Sequence, residues 1–305
     1  MSGKRPIVAF FDIDGTLVWQ GDARKRKDDS YMRPSVPSAR VVRSLTSFAE
    51  NGNCAFICSG RPIWSIAPEL RTFPFSGVIS LAGAQVWIGD DLIRDERIPS
   101  HAVINAARVF LDRGVLAFFE SPEKSVELNA VGSNGDNEAI GPVARSIDDL
   151  QLFSPSLDYR KIVCASTDLE RLGSDLRSLR AMFSVHDIMN GYHEMTVSSN
   201  NKAAGIDAVL DGLCERGVRP GPTIGFGDSE NDASMFEAVD ISVAMGNAPT
   251  SIRSVASFVA PPVWEDGVAS VLDLIVGRGI GTISKKPDQS YLIVAFHPYC
   301  QHSFQ

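Results

Sequence analysis

The sequence has no apolar run near the length of about 20 residues that a membrane-spanning helix needs. It also lacks a basic excess: 29 Lys and Arg stand against 37 Asp and Glu, for a formal net charge of -8. A nucleic-acid-binding surface depends on clustered positive charge, so that class of partner is not expected. The charge leaves room for an anionic small molecule, because an acidic protein can carry a locally positive site. Cysteine is scarce and follows no pairing pattern, with Cys54, Cys58, Cys164, Cys214 and Cys300 odd in number and scattered. No spacing among them suits a zinc knuckle or a redox pair, and a reduced compartment is expected. Lys4 and Arg5 precede the apolar residues 7–11, but that run is too short for a signal-peptide core and is ended by Asp12. A cytoplasmic location is the expectation.

What remains is an ordinary globular composition, 44% hydrophobic and 22% charged over 305 residues, enough for one large domain or two moderate ones. Residues 7–11 form a continuous apolar run, the pattern of a strand buried on both faces of a parallel sheet. Ser38 can cap a helix carrying Val41, Val42, Leu45 and Phe48 on one side and stopping near Gly52. Residues 54–58 and 78–81 read as further strands. The first 82 residues therefore read strand, helix, strand, helix, strand, as in a doubly wound α/β sheet. Residues 83–195 read differently. Strand candidates at 85–88, 116–120, 126–128, 161–165, 185–189 and 194–197 are mixed with helices near 102–112 and 168–183, and Asn190–Gly191 suits a hairpin turn. This predicts an inserted α+β domain. Alternation returns after Asn201: a helix over 203–216, a strand over 223–226, a helix over 233–236, strands at 241–244 and 257–259, and a helix over 267–275. The charged stretch 20–35 and residues 132–137 read as loops. No role is legible in the tail after Gly277.

Four polar clusters follow predicted strands, where ligands bind in open α/β sheets. In Asp12–Ile13–Asp14–Gly15–Thr16–Leu17, two carboxylates are spaced to leave one strand end on the same side. One could attack phosphorus, while the other protonates a leaving oxygen and then activates water. In Ser59–Gly60–Arg61, a hydroxyl and backbone N–H groups at a helix start could hold a phosphoryl oxygen. Lys202 could neutralise charge on a transferring phosphoryl group. The acids of Gly227–Asp228–Ser229–Glu230–Asn231–Asp232 suit a hard cation such as Mg2+. Each cluster alone also has a bland reading, as a cap, a turn or a solvated surface group.

Together and in this order, the clusters resemble the haloacid dehalogenase (HAD) superfamily, and within it the Cof-like phosphatases of subclass IIB. The resemblance spans about residues 6 to 276 and includes the stretches Ala244–Met245–Gly246–Asn247–Ala248 and Glu265–Asp266–Gly267–Val268–Ala269. It implies a Rossmann-like core of residues 1–82 and 196–277 with a C2-type cap at 83–195, and leaves 278–305 as an extension. Asp12 would be the nucleophile, with Asp14 the general acid/base. Thr16, Ser59, Gly60, Arg61, Lys202 and Asn231 would bind phosphate or substrate. Asp12, Asp14, Asp228 and Asp232 would hold Mg2+, Asp14 through its backbone carbonyl. The sequence departs from the family at Ala82–Gly83–Ala84, where Asn–Gly–Ala is common, and at Ala203, where glycine often follows the lysine. The implied reaction is hydrolysis of a small-molecule phosphate monoester, on a sugar phosphate or a phosphorylated cofactor. The alternatives are a phosphosugar mutase of the same superfamily and a catalytically silent binding protein.

Overall fold

A computed structural model describes residues 5–19, 36–129, 141–188 and 191–280. The expected loops at 20–35 and 132–137, Asn190 of the hairpin turn and the tail beyond Ile280 lie outside the described residues. The described strands are β1 (Val8–Phe11), β2 (Cys54–Cys58), β3 (Gly77–Ser80), β4 (Gln85–Ile88), β5 (Asp91–Asp95), β6 (Ala117–Glu120), β7 (Ser125–Leu128), β8 (Val143–Ala144), β9 (Lys161–Ala165), β10 (Ser184–Ile188), β11 (Tyr192–Thr196), β12 (Thr223–Gly227), β13 (Ile241–Ala244) and β14 (Phe258–Val259). They form two sheets.

The first sheet has the order β14-β13-β12-β1-β2-β3-β4-β5, parallel from β14 to β3. Its strands are apolar on both faces, and strand alternation sorts them into two cores. Ala9, Phe11, Ala55, Ile57, Ile224 and Phe226 pack on one side with the helices Ala39–Glu50 and Gly267–Arg278. Val8, Phe10, Phe56 and Cys58 pack on the other with the helices Lys202–Glu215 and Ala233–Ala238. The expected cap at Ser38 forms: its side chain accepts a hydrogen bond from Val41 N, a contact worth about 1 kcal/mol. After β1 the chain winds to β2 on one side, and it returns much later through β12 on the other. The switch point of the sheet thus falls between β1 and β12.

The second sheet has the order β10-β11-β9-β6-β7-β8 and is antiparallel except for the β7/β8 pair. It has its own apolar core, with Phe110, Phe119, Tyr159, Ile162 and Met195 fully buried. The architecture is a doubly wound α/β core with an inserted α+β cap.

Three expectations are corrected. The core sheet does not stop at residue 82: β4 and β5 add two antiparallel strands to it through the β3/β4 and β4/β5 pairs. A short apolar strand shows its period but not its partner, so 85–88 read as cap. No long helix follows Ser59–Gly60–Arg61. Pro62, Pro68 and Pro74 interrupt the segment, leaving a single 3-10 turn at Ile63–Ser65 and one helical turn at Pro68–Arg71. The phosphate-loop candidate is therefore not at the start of a regular helix. The helix expected over 168–183 is broken at Gly173 into short pieces. Asp91–Asp95, Val143–Ala144 and the helix Ile147–Phe153 had no clear signal in the sequence.

Candidate active site

The polar clusters converge at the carboxyl ends of β1, β2 and β12. Asp12 follows β1 directly and is buried. Lys202 begins the helix Lys202–Glu215, capped by Asn201, whose side chain accepts from Ala204 N at 2.9 Å. This fixes Lys202 on the first turn with its side chain turned inward, 1% exposed. Its Nζ lies 2.6 Å from Asp12 Oδ1 and 2.5 Å from Asp232 Oδ1. The other oxygen of Asp232 accepts from the backbone N–H groups of Asp228 at 2.8 Å and Ser229 at 2.9 Å. Asp12, Asp228 and Asp232 are all buried, with carboxylate oxygens within 4.8 Å of one another.

The electrostatics follow from this packing. Burial is the main reason that the Asp12 carboxyl is raised to about 7; Lys202 pulls it down, and Asp232 and Asp14 push it up. Asp228 is raised well above its ordinary value by burial, then by Asp12 and Asp232. Burial disfavours the Lys202 ammonium, but Asp12 and Asp232 outweigh it and hold that charge well above the usual lysine range. Three buried carboxylates thus share one buried cation. Cys58, next to the phosphate-loop candidate, is no rival nucleophile: burial pushes its thiol up to about 12.

The other residues expected at the site lie on the segments that follow β1, β2 and β12. Ser59 is buried; its Oγ accepts from Arg61 N at 3.2 Å, so the hydroxyl proton stays available to donate. Asn231 Oδ1 accepts from Ser229 Oγ at 2.7 Å. The buried Thr16 hydroxyl donates to Asp228 Oδ1 at 3.4 Å, which places it beside the acidic group. Arg61 grips Asp14 with both prongs, Nε to Oδ2 at 2.7 Å and Nη2 to Oδ1 at 2.6 Å. The expectation that Asp12 and Asp14 leave one strand on the same side is corrected. β1 ends at Phe11 and the chain then turns, with Leu17 N and Val18 N both bonding Ile13 O, so strand alternation does not reach Asp14. Gly15 makes the turn with φ +81°, and a β-carbon there would lie 2.1 Å from Asp228 Oδ2.

Asn247 is a site residue that had shown itself only as part of a family-like stretch. Its Nδ2 donates to Gly15 O at 2.8 Å and to Asp228 Oδ2 at 3.2 Å, while its Oδ1 accepts from Val263 N at 2.9 Å. It ties the loop after β13 to the loops after β1 and β12.

The sequence model of the haloacid dehalogenase-like hydrolases matches residues 9–272. The chain belongs to this family. The chain is also similar to curated proteins. YkrA of Bacillus subtilis strain 168, a candidate phosphatase by name, is 27% identical over 267 residues, 86% of this chain and 95% of its own. YwtE of the same organism, named 5-amino-6-(5-phospho-D-ribitylamino)uracil phosphatase, is 28% identical over 291 residues, 87% of this chain and 96% of its own. Among solved structures, the HAD subclass IIB sugar phosphatase BT4131 superposes with TM-score 0.68 at 22% identity, over 88% of this chain and 98% of its own. BT1666 from Bacteroides thetaiotaomicron does so with TM-score 0.70 at 21% identity, over 90% and 96%. The fold is that of the solved subclass IIB sugar phosphatase, and the chain is a HAD-family hydrolase. No helix among the described residues is long and apolar enough to cross a membrane.

Proposed function

We propose that this HAD phosphatase hydrolyses a small-molecule phosphate monoester with the help of Mg2+, through an aspartyl-phosphate on Asp12. The observation that carries the reading is the buried Lys202, bonded to Asp12 and Asp232 beside Asp228 at the sheet's switch point.

The residues fit the metal. Asp12, Asp228 and Asp232 offer only hard oxygen donors, which suit Mg2+. Three buried carboxylates against one lysine also leave an excess negative charge that a divalent cation offsets. Asp12 and Asp228 would hold the ion, with Asp232 and the Asp14 backbone carbonyl in support. When bound, Mg2+ lets an anionic nucleophile approach an anionic phosphate.

In the first step an Asp12 oxygen forms a bond to phosphorus as the ester P–O bond breaks. The electron pair goes to the leaving alcohol oxygen, which takes a proton from Asp14; Asp14 carries that proton only once it leaves the two-pronged grip of Arg61. Lys202 and the Ser59 hydroxyl hold the phosphoryl oxygens and offset their charge. In the second step water gives a proton to Asp14 and bonds to phosphorus. The Asp12–phosphorus bond breaks, and inorganic phosphate leaves. Asn231 and the backbone at Gly60 border the phosphoryl position. The substrate classes are sugar phosphates and phosphorylated cofactors, and similarity to the sugar phosphatase BT4131 and to the 5-amino-6-(5-phospho-D-ribitylamino)uracil phosphatase YwtE supports a small phosphorylated molecule. The compartment we infer is the cytoplasm.

Phosphate release from a panel of monoesters with Mg2+ tests the reading, with Asp12→Asn alongside. Loss of about 10³-fold or more in the variant is expected. Equal release by both proteins would sink the nucleophile assignment. Transfer of phosphate back to substrate without release would mark a mutase instead.

A further inference from the structure

The side of the site away from the phosphate is built by one face of the cap sheet. Alternate residues of its strands point to opposite faces. Phe119, Val126, Ile162, Cys164 and Met195 face the cap's apolar core. Cross-strand register places Glu120, Glu127, Lys161, Glu194 and His186 together on the other face. Among the described residues of these strands, that face carries three glutamates and one lysine, with no arginine.

This face, which also carries Phe118, Val163 and Tyr192, meets the core at the phosphate loop. Lys161 Nζ donates to Gly60 O at 2.6 Å. A β-carbon on Gly60 would lie 3.0 Å from Glu194 Oε2 and 3.8 Å from Asn231 Nδ2. Trp64 Nε1, three residues beyond Arg61, donates to Ser121 O at 3.2 Å and ties the same loop to the end of β6.

The charges on this face are not balanced. Lys161 is buried and divides its one charge between Glu120 Oε2 at 3.0 Å and Glu194 Oε2 at 3.5 Å, besides its bond to Gly60. Glu127 is buried as well, with Asn129 Nδ2 donating to it at 3.0 Å. Glu194 is 2% exposed, and among the described residues the Oε2 atoms of Glu194 and Glu120 have only the shared Lys161 ammonium as a partner. One ammonium shared by two carboxylates leaves them with acceptor capacity that an incoming hydroxyl can fill. A carboxylate or second phosphate on the substrate would instead meet like charge in a dry site.

We propose that Glu194 and Glu120, held in place by Lys161, form the leaving-group subsite and select a neutral, hydroxyl-rich monophosphate of the sugar or polyol class over one carrying a second anionic group. The inference rests on the phosphatase reading above.

Two substrates differing at one carbon test it: sorbitol 6-phosphate, with a terminal alcohol, and 6-phosphogluconate, with a carboxylate there. With the full chain and Mg2+, kcat/KM is expected to favour the polyol by about tenfold or more. Glu194→Gln should narrow that ratio by about fivefold, chiefly through KM, and Glu120→Gln serves if the first variant does not fold. Three results would overturn the subsite and leave the phosphatase reading intact. One is equal or faster turnover of 6-phosphogluconate by the wild type. Another is no turnover of either compound while p-nitrophenyl phosphate is cleaved. The third is a variant that slows both compounds equally. No phosphate release even from p-nitrophenyl phosphate would overturn the phosphatase reading itself and the inference with it.

Discussion

Lys202 Nζ stands between Asp12 and Asp232, 2.6 Å from one carboxylate and 2.5 Å from the other, although Asp12 lies 190 residues away in the chain. On the proposed mechanism, one side chain serves both stability and chemistry. Lys202→Met leaves two carboxylates buried without their cation. Metal-free protein should lose about 3–5 kcal/mol in urea unfolding. Phosphate release with Mg2+ should fall by roughly 10²- to 10³-fold, because a charge aimed at the transferring phosphoryl group is gone. A variant with wild-type kcat would remove Lys202 from the mechanism.

The raised Asp12 and Asp228 carboxyls make metal binding and stability depend on pH. In the metal-free protein the folded state keeps protons on these groups above the pH at which the unfolded chain has released them. Where the folded state binds more protons, stability falls as pH rises. For Asp12 that window runs from its ordinary value of 3.8 up to about 7. Metal-free wild type should thus lose Tm between about pH 5 and pH 8, and Asp12→Asn should show a flatter profile. Mg2+ competes with these protons, so its stabilising shift should be larger at the higher pH, by a few degrees. Thermal unfolding with and without Mg2+ measures this. A metal shift equal at both pH values would contradict the assignment of Asp12 to the cation.

The two layers of this reading were not equally legible in the sequence. Asp12, Ser59, Lys202 and Asp228 could be picked out because each follows a strand signature, and the fold class followed from β1, β2 and β12 reading as buried strands. Their convergence could not be read, because it depends on β12 returning beside β1 across the whole cap. The same holds for β4 and β5: their pattern marks β4 as a strand, while the choice of sheet depends on the turn at Leu81–Gly83, where three successive residues at positive φ fold β4 back on β3. Thr16 and Arg61 were expected to bind phosphate or substrate, and their bonds to Asp228 and Asp14 were not legible. The cap face was the least legible part. Glu120, Lys161 and Glu194 sit on three strands with ordinary alternation, and only cross-strand register brings them together.

Asn247 shows what this long-range closure does for the site. Its amide donates to Gly15 O and Asp228 Oδ2 and accepts from Val263 N, so three loops depend on one side chain. Asn247→Leu leaves the Gly15 carbonyl and the Val263 N–H without this partner, at about 1–3 kcal/mol each. Asp228 also loses the group that orients it. Mg2+ affinity should weaken by about 10- to 100-fold, read by calorimetric titration, with kcat at saturating Mg2+ affected less. An unchanged Mg2+ titration would mean that Asp228 is held well enough by Thr16 and its own backbone.

Arg160 links the cap to the core sheet through another buried charge. It is 1% exposed and grips Asp95 of β5 with Nε at 2.7 Å and Nη2 at 2.8 Å, while Nη1 bonds Asp158 at 2.8 Å. Arg160→Met takes the fork from Asp95 and Asp158, which keep Gln85 and Arg97 and are partly open to solvent, and should cost about 1–3 kcal/mol. Arg160→Lys should recover only part of this, because a single ammonium cannot replace a planar fork that bonds both oxygens of Asp95. Arg160 also immediately precedes Lys161 on β9, so its register sets where Lys161 meets Gly60. The kinetic effect should accordingly be uneven. KM should rise for substrates whose leaving group reaches the cap face and change much less for p-nitrophenyl phosphate, which carries no hydroxyls for that face to bind. Steady-state kinetics on both substrate types, beside urea unfolding of the two variants, measures this split. A uniform loss across all substrates would make Arg160 a support of the fold alone, with no part in positioning β9 over the phosphate loop.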